Sequence, residues 1–361
     1  VVRLVGSEMC IRDRPIALGY SSAGIAECVS EEIQDIHPGD RLACAGGGYA
    51  SHAEKILVPR NLLIKVPDDV KLEEAAFSTI GSIAMQGYRL SNPQIGDVVA
   101  VIGLGLIGLI TVQILKAAGC RVIAYDPKNV QVNLANELGA DVAVNNESLF
   151  KKEATLFNSG FGIDRIIITA STKSDQPIQL SSEIAMEKTK IVVVGAVGMN
   201  ISRKLFYEKE LELIVSKSYG PGRYDPQYEE KGIDYPISYV KWTENRNMIS
   251  FIELVHSGKI NLKKLISHKF SIEQATKAYE LISPKSKQDP VGIILTYPND
   301  TGNAKKIFSL NKKTGNFKKS KIKVGVIGAG NFASRFIIPE IKSNVHKVGL
   351  CSYSSVASSF K

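Results

Sequence analysis

One short stretch of the sequence has the residue types and spacing to bind phosphate groups through its backbone. It follows the apolar run Val98–Ile102, opens a second apolar run with helical spacing, and reads Gly103-Leu104-Gly105-Leu106-Ile107-Gly108. The first glycine permits a tight turn, the second lets backbone approach a pyrophosphate, and the third lets helix and strand pack closely. Unpaired N–H groups at the helix start then face the anion. The triplet alone is weak, but this context predicts a dinucleotide-binding loop.

An acidic residue stands where such a loop needs one. Asp126 follows the next apolar run, Arg121–Tyr125, and comes 18 residues after Gly108. A carboxylate there can accept hydrogen bonds from both ribose hydroxyls of NAD and would repel the 2′-phosphate of NADP. The sequence therefore favours NAD over NADP as the cofactor.

A second glycine loop lies near the end of the chain, after the apolar run Ile322–Ile327. Its residues are Gly328, Gly330, Asn331, Phe332 and Ala333. The end of the next expected strand, Leu350-Cys351-Ser352, supplies no acid for a ribose. We predict cofactor binding at this loop in a longer parent protein, of which this chain carries only the start of the unit.

The alternation of short apolar runs with helical segments predicts an α/β fold with a doubly wound, parallel Rossmann sheet. The strands expected in this region are Val98–Ile102, Arg121–Tyr125, Val142–Val144, Arg165–Thr169, Ile191–Val194 and Leu211–Ser216. The last clear helix between them is expected over Gln176–Glu187. The preceding region is expected to be β-rich, with strands at Gly24–Val29, Arg41–Ala45 and His52–Pro59 and a helix over Leu72–Leu90.

Charge and hydropathy exclude several classes of function. The net charge of +9 comes mainly from the end of the chain, where Lys305–Lys323 holds eight lysines and no acid. Because this run has no interleaved aromatic residues beyond Phe308 and Phe317 and no nucleic-acid-binding motif, we interpret it as a solvated linker. No stretch approaches ~18 consecutive apolar residues, so no membrane span is expected. Five scattered cysteines without a C-x-x-C pair suit a cytoplasmic protein.

The two ends of the chain do not fit the rest of the pattern. Val1–Arg14 joins no recognisable element and lacks the apolar core of a signal peptide, so we interpret it as a non-native segment. The chain ends within a βαβ unit, and we interpret it as a fragment whose own activity stays open.

Residues from Pro15 to about Tyr297 resemble the medium-chain dehydrogenase/reductase superfamily, the zinc-type alcohol dehydrogenases. The matching pieces are Gly39-Asp40-Arg41-Leu42-Ala43, Ala53-Glu54, Glu74-Ala75-Ala76, the glycine loop and Val194-Gly195-Ala196-Val197-Gly198. Lys321 onward resembles the start of the Gfo/Idh/MocA oxidoreductase family, and the block Tyr219–Asn247 resembles a segment of bi-domain oxidoreductases that join both modules. That group is associated with surface-polysaccharide and sugar metabolism.

The resemblance implies a domain organisation and further cofactor contacts. Residues 15–93, completed by about 258–297, would form a partial GroES-like domain, and residues 94–257 the NAD-binding Rossmann domain. A lysine-rich linker at 298–320 would lead to a truncated second Rossmann unit at 321–361. Thr79 would contact the cofactor near the nicotinamide, and the backbone of Val194, Gly195 and Val197 would line its carboxamide side. Ala170, which follows the expected strand Arg165–Thr169, is also expected to bind the cofactor.

The resemblance breaks down at the zinc-binding motif. Zinc-dependent members carry G-H-E-x-x-G, whereas this chain reads Gly19-Tyr20-Ser21-Ser22-Ala23-Gly24, with tyrosine in place of the ligating histidine. Neither Tyr20 nor Ser21 is a typical zinc ligand. Only a short glycine-rich turn joins Cys44 to His52, so the four-cysteine lobe of structural zinc is absent. We therefore expect no zinc.

Hydride transfer without zinc needs a side chain that donates or accepts a proton. Tyr20 and His52 are candidates; the unperturbed pKa of histidine suits the role, but His52 could equally be a hydrogen-bonded residue at a strand start. Tyr224 and Asp225 lie in a Tyr-, Pro- and Gly-rich block, Tyr219–Trp242, that could bind a sugar or line a cleft. An ordered loop between domains, or an oligomer contact, explains that block equally well. Cys44 is interpreted as a small buried hydrophobic residue.

The sequence as a whole predicts an NAD(H)-dependent, zinc-independent oxidoreductase. The resemblance implies that it acts on a carbonyl or alcohol of a sugar, nucleotide sugar or cyclitol. The alternative is a non-catalytic dinucleotide-binding scaffold or sensor half of a larger oxidoreductase. The expected partner is a small-molecule substrate, with neither nucleic acid nor membrane, and a homo-oligomer is left open.

Overall fold

The computed structural model describes residues 17–283, 286, 288–298, 322–327, 340 and 345–351. Within it, Leu18–Tyr297 forms one compact unit. The segment predicted to be non-native and nearly all of the lysine-rich linker lie outside the described residues. The same holds for the second glycine loop, with Gly328, Gly330, Asn331, Phe332 and Ala333.

The compact unit begins with a small antiparallel sheet. Its strands, in spatial order, are β1 (Ser21–Ile25), β2 (Arg41–Ala45) and β3 (Leu63–Lys65). Two helices follow, α1 (Leu72–Ala75) and α2 (Ser78–Ser91). Helix α2 carries glycine, serine and alanine at many of its buried positions, which lets its backbone approach neighbouring elements closely.

A six-stranded parallel sheet forms the centre of the unit and confirms the predicted α/β fold. Its strands are β4 (Val98–Ile102), β5 (Arg121–Tyr125), β6 (Val142–Val144), β7 (Ile163–Ile168), β8 (Ala185–Val193) and β9 (Glu212–Val215). The connecting helices are α3 (Leu106–Ala117), α4 (Asn129–Glu137), α5 (Glu147–Phe157), α6 (Gln176–Ile184) and α7 (Arg203–Glu208). The strand order β6-β5-β4-β7-β8-β9 reverses direction between β4 and β7. Ligands of open parallel sheets bind above such a reversal, at the carboxyl ends of the strands.

The central strand shows why the sequence forms this sheet. Every residue of β4 is apolar and buried. Alternate residues contribute to two separate cores, with Val99 and Val101 packing on the side of α2 and α3, and Val98, Ala100 and Ile102 on the other. A strand covered by helices on both faces needs a continuous apolar run rather than an alternating one.

The rest of the chain returns to the first part of the unit. Helices α8 (Pro226–Glu229) and α9 (Glu244–His256) lead to a parallel pair of strands, β10 (Ile266–Ser271) and β11 (Gly292–Thr296), with α10 (Ala275–Leu281) between them. Separately, β12 (Ile322–Ile327) and β13 (Val345–Cys351) form a two-stranded parallel sheet. Among the described residues, no helix is both long and apolar enough to cross a membrane.

Several predicted elements differ from the structure. His52–Pro59 is not a strand; it forms bends and open loop without a neighbouring strand in the described part of the chain, and Leu57 is 91% exposed. The single helix predicted over Leu72–Leu90 is interrupted at Ala76–Phe77, where the Phe77 ψ of 2° leaves the helical range. The helix predicted over Gln176–Glu187 ends at Ile184, because β8 starts at Ala185 to pair with β7.

Replacing Gly81 with alanine tests the packing of α2 against α9. A Cβ atom at position 81 would lie 2.3–2.4 Å from three ring atoms of Phe251, closer than van der Waals contact permits. Overpacking of this kind costs about 2 kcal/mol, so we expect Gly81→Ala to lower the free energy of unfolding by that amount in urea denaturation. Gly24→Ala is the matched control, because nothing lies within 4 Å of a Cβ there. Equal stability of the two variants would contradict the close contact between α2 and α9.

Candidate active site

The predicted glycine loop lies at the carboxyl end of β4. Gly103 has a φ of +97°, and its N–H donates to the Tyr125 carbonyl at 2.8 Å. A Cβ atom at Gly103 would lie 2.5 Å from the backbone nitrogen of Ala170. Both the left-handed conformation and this close approach require glycine. The turn thereby ties the ends of β4, β5 and β7 together.

The other two glycines differ sharply in their surroundings. A Cβ at Gly108 would lie 2.0 Å from the Gly103 carbonyl oxygen, so the third glycine lets α3 pack on the turn. Nothing lies within 4 Å of a Cβ built on Gly105, which is the N-cap of α3. The first N–H groups of a helix have no partner inside the helix. The open space at Gly105 therefore adjoins free backbone donors, an arrangement suited to an anion.

Asp126 closes the loop from the side of β5. One carboxylate oxygen accepts a hydrogen bond from the Leu104 N–H at 2.8 Å, and the other accepts from the Lys128 N–H at 2.9 Å. The side chain thus holds the glycine loop in position. A carboxylate has further lone pairs for a ribose hydroxyl, so this contact is compatible with the predicted role, which stays a prediction.

The ends of β7 and β8 form the opposite wall. The N–H groups of Val194 and Gly195 both donate to the Ile168 carbonyl, and a Cβ at Gly195 would lie 2.0 Å from the Ala170 carbonyl oxygen. Val197 follows on the same segment and is half-buried. The structure therefore brings Ala170, Val194 and Gly195 together beside the glycine loop, as a shared cofactor surface requires.

Thr79 lies in the first turn of α2 and is fully buried. Its hydroxyl is within 3.3 Å of the Tyr20 carbonyl and 3.4 Å of the Cys44 carbonyl, so it links α2 to the first sheet. Eight residues further along α2, a Cβ on Gly87 would lie 2.5 Å from a methyl group of Val194. Helix α2 thus connects the first sheet with the wall at the end of β8.

The four candidate proton-transfer residues fall into two groups. Tyr20 and His52 are close in space, because the His52 N–H donates to the Leu18 carbonyl at 2.7 Å and the imidazole packs against Gly19. Burial raises the pKa of the Tyr20 phenol far above its usual range and lowers the pKa of His52. Tyr224 and Asp225 lie instead in the loop after β9.

The Tyr224–Asp225 loop has its own internal contacts. Asp225 is the N-cap of α8, accepting from the Gln227 N–H at 3.0 Å, and its other oxygen accepts from the Tyr235 hydroxyl at 2.5 Å. The hydrogen bond from Tyr235 lowers the pKa of Asp225. Tyr224 is 63% exposed, with the Arg223 guanidinium carbon 3.8 Å from its ring centroid. Asp225 is therefore committed to holding the loop, while Tyr224 remains open to solvent.

Sequence reasoning missed a buried polar cluster behind this loop, formed by Tyr219, Arg223, Glu229 and Glu244. Arg223 donates to Glu229 at 2.6 Å. Both carboxyl oxygens of Glu244, the Tyr219 hydroxyl and the Arg223 Nε have no hydrogen-bond partner among the described residues. Burial, reinforced by the neighbouring Glu229 carboxylate, raises the pKa of Glu244 to about 9. No local pattern indicates this cluster, because Glu244 reads as an ordinary acid in the first turn of a helix.

Comparison with known proteins places these features in context. Residues 107–230 match the family described as zinc-binding dehydrogenase. The chain is 25% identical over 294 residues to L-idonate 5-dehydrogenase of Vitis vinifera, covering 72% of this chain and 74% of that protein. It is 24% identical over 305 residues to sorbitol dehydrogenase 1 of Saccharomyces cerevisiae, covering 74% and 78%. The crystal structure of galactitol-1-phosphate dehydrogenase from Escherichia coli shares the fold, with a TM-score of 0.64 and 22% identity over 77% of this chain and 86% of that one.

The chain is an NAD(P)-dependent dehydrogenase/reductase. The matches correct one prediction about its organisation. The matched family is described as zinc-binding dehydrogenase, one relative is named a zinc-type alcohol dehydrogenase-like protein, and nothing in the matches shows a Gfo/Idh/MocA module. The prediction of a two-module chain is therefore wrong. It rested on a second short glycine pattern and on the resemblance of one block, neither of which is specific enough to define a domain.

The cofactor prediction is corrected as well. The matched family is one of zinc-binding dehydrogenases, and solved structures with the same fold hold NADP in one case and NADH in another. Neither the exclusion of zinc nor the preference for NAD over NADP stands. The physical reason is that one missing histidine does not define a whole ligand set, and one acid engaged with backbone does not exclude a phosphate.

The described residues show no ready set of ligands for a metal ion. They contain no group of three or more His, Cys, Asp or Glu side chains placed to hold a metal. Burial raises the pKa of the Cys44 thiol to about 12.

Proposed function

We propose that this chain transfers hydride between NAD(P), bound along the carboxyl edge of the parallel sheet, and a sugar alcohol or the corresponding ketone or aldehyde. The observation that carries the proposal is the contrast within the glycine loop: two glycines at which a Cβ would collide with backbone, and one that faces open space. A loop that served only to connect a strand to a helix would not need the open space found at Gly105, where the apolar helix begins.

The order of the strands supports an orientation for the dinucleotide. The adenosine would lie near Asp126 at the end of β5, the pyrophosphate over Gly105 and the start of α3, and the nicotinamide beside Ala170 and Val194. Three strand spacings separate β5 from β8, about 14 Å in total, which suits an extended dinucleotide. Asp126 would receive the adenosine ribose while keeping its contact with the loop.

The chemistry would need one proton transfer for each hydride. When an alcohol is oxidised, its carbon gives a hydride to the nicotinamide ring and its hydroxyl gives a proton to a base. Because its pKa is lowered from the ordinary value of 6.5, His52 is neutral at neutral pH and can accept that proton. Tyr20 keeps its phenolic proton and could donate a hydrogen bond to the substrate oxygen. The dinucleotide itself supplies the hydride chemistry when it is bound.

The relatives support the substrate class. They are named for L-idonate, sorbitol and galactitol 1-phosphate, all with several hydroxyl groups on an open carbon chain. We extend this class to the present chain. We also propose that residues 15–93, together with about 258–297, form the GroES-like domain on the substrate side, with residues 94–257 as the dinucleotide-binding domain and 298–320 as a linker.

Oxidation of polyols by the purified full chain tests this function. We expect reduced nicotinamide to accumulate when NAD⁺ or NADP⁺ is supplied with at least one member of a set of hexitols, pentitols and their phosphates. The measurement is the near-ultraviolet absorbance of the reduced ring, with enzyme-free and polyol-free mixtures as controls. A folded chain that binds the nucleotide but reduces it with none of these compounds would contradict the proposal and favour a non-catalytic scaffold.

A further inference from the structure

A cavity of about 430 Å³ opens beside the end of β9, next to the wall that would receive the nicotinamide. It is lined by Gln86, Lys217, the segment 220–225 and Tyr235. The Ser216 N–H donates to the Val193 carbonyl at 2.8 Å, which fixes the start of this loop at the carboxyl edge of the sheet. Since β9 lies one strand beyond β8, about 5 Å away, the cavity adjoins the nicotinamide end on the side opposite the adenosine.

The sign of the backbone angle φ alternates along the loop that lines the cavity. Gly220, Gly222 and Tyr224 have φ values of +115°, +103° and +66°, while Arg223 between the last two has no positive φ. Such alternation is the backbone pattern of concave anion-binding nests, in which successive N–H groups point toward one side. The N–H groups of Gly222 and Tyr224 have no acceptor among the described residues. A tyrosine in the left-handed region costs about 1 kcal/mol, a strain that functional loops commonly retain.

The side chains around this backbone place a lysine ammonium group at the cavity. Lys217 forms no ion pair with any carboxylate of the described residues, and its Nζ lies 5.3 Å from the Tyr224 ring centroid. Arg223 is paired with Glu229, and the Asp225 carboxylate is already occupied by backbone and by Tyr235. Within the described part of the chain, Lys217 therefore makes no direct ion pair beside the free N–H donors, and the Asp225 carboxylate is the nearby acid that its charge acts on.

The buried polar cluster behind the loop also affects the charge at the cavity. The Glu244 N–H donates to the Pro221 carbonyl at 2.8 Å, so the cluster and the cavity wall share one backbone segment. Because burial raises its pKa to about 9, Glu244 is protonated at neutral pH and adds no second negative charge beside Arg223. The groups that face it are Glu229, Arg223 and Lys217, of which the first two neutralise each other.

We propose that this cavity binds the anionic end of a polyhydroxylated substrate, a phosphate or a carboxylate carried on the sugar chain. The Gly222 and Tyr224 N–H groups would donate to the anion, and Lys217 would neutralise its charge. The inference rests on the proposed function, because one substrate would place its anionic group in the cavity and its reacting carbon beside the nicotinamide. The distance between the cavity and the nicotinamide wall then selects the carbon that is oxidised.

Calorimetry on the full chain with three matched ligands tests this inference. Sorbitol 6-phosphate, gluconate and sorbitol are titrated in a buffer free of phosphate, with Lys217→Met and Lys231→Met as variants. Lys231 is an exposed lysine of the same block that does not line the cavity. We expect at least one anionic ligand to bind about tenfold more tightly than sorbitol, and Lys217→Met to remove that advantage. Lys231→Met should bind as the unmodified chain does.

The outcomes separate the inference from the function on which it rests. Preference for the phosphate alone, or for the carboxylate alone, supports the anion site and identifies the group. Equal binding of all three ligands, or equal effects of the two lysine variants, overturns it. If neutral polyols are nevertheless oxidised with NAD(P)⁺, the proposed function survives this result. If no polyol is oxidised, the proposed function fails independently of the calorimetry.

Discussion

Gly105→Ala is expected to weaken NADH and NADPH binding about 100-fold while leaving the fold intact. The φ of Gly105 is −66° and nothing lies within 4 Å of a Cβ there, so alanine fits the protein without strain. Removing a glycine from such a position stabilises the folded state by about 0.5 kcal/mol. The added methyl would, however, fill the space expected to hold the pyrophosphate, and a loss of about 2.8 kcal/mol in binding is a factor of about 100.

Gly108→Ala is the informative comparison. Its Cβ would lie 2.0 Å from the Gly103 carbonyl oxygen, so helix α3 has to move. We expect this variant to lose both dinucleotide binding and about 3 kcal/mol of stability. Calorimetric titration with NADH and denaturation in urea separate the two effects. Unchanged nucleotide affinity in Gly105→Ala would show that the pyrophosphate does not approach this loop.

Glu244→Gln is expected to make the protein more stable than the unmodified chain at alkaline pH. The folded-state pKa of Glu244 is about 9, against an ordinary value of 4.5, so the folded state holds a proton that the unfolded state releases. The contribution of this proton to the free energy of unfolding is fully present below about pH 4.5, and it is lost as the pH rises toward 9. The free energy of unfolding falls by about 1.4 kcal/mol for each pH unit, so the loss between pH 5 and pH 8 is on the order of 4 kcal/mol.

Glutamine resembles the protonated carboxyl in shape and does not titrate, so the variant should not show this loss. Urea denaturation at several pH values gives the difference between the two proteins directly. Glu253→Gln, on the exposed side of the same helix, is the matched control and should follow the unmodified chain. Parallel stability profiles of Glu244→Gln and the unmodified chain would contradict the burial of an unpartnered carboxyl.

The central sheet could be predicted because its signals are local. The runs Val98–Ile102 and Arg121–Tyr125 are short, apolar and bounded by glycine or aspartate, and the strands form over these same residues. The glycine loop could be recognised for the same reason. By contrast, the segment His52–Pro59 contains apolar residues but has no neighbouring strand among the described residues, and pairing is a property of the whole fold.

The site around the loop after β9 could not be derived from the sequence. Its walls come from parts of the sequence that are far apart; Gln86, for example, lines the same cavity as Lys217 and Tyr235. The protonated Glu244 depends on burial by several elements at once. The sequence did indicate that the block Tyr219–Trp242 could form a cleft, since phenols and carboxylates alternate there with glycine and proline. It could not show that Asp225 is used internally, whereas Tyr224 faces the opening.

The wrong predictions share a different cause. A second glycine pattern near the end of the chain led to the expectation of another oxidoreductase module, and one tyrosine in place of histidine led to the exclusion of zinc. Each inference extended a short motif to a whole domain or ligand set. Matches over 72% or more of the chain test such extensions, because they depend on many positions at once.

Calorimetric titration of the unmodified full chain with NADH and NADPH tests the central claim most directly. The account predicts saturable binding of at least one of them, with one dinucleotide per chain and competition by the oxidised form. Because the proposed site exists only in the folded chain, binding should also raise the midpoint of thermal unfolding. A folded protein that binds neither nucleotide would contradict the assignment of the glycine loop, and with it the proposed dehydrogenase mechanism.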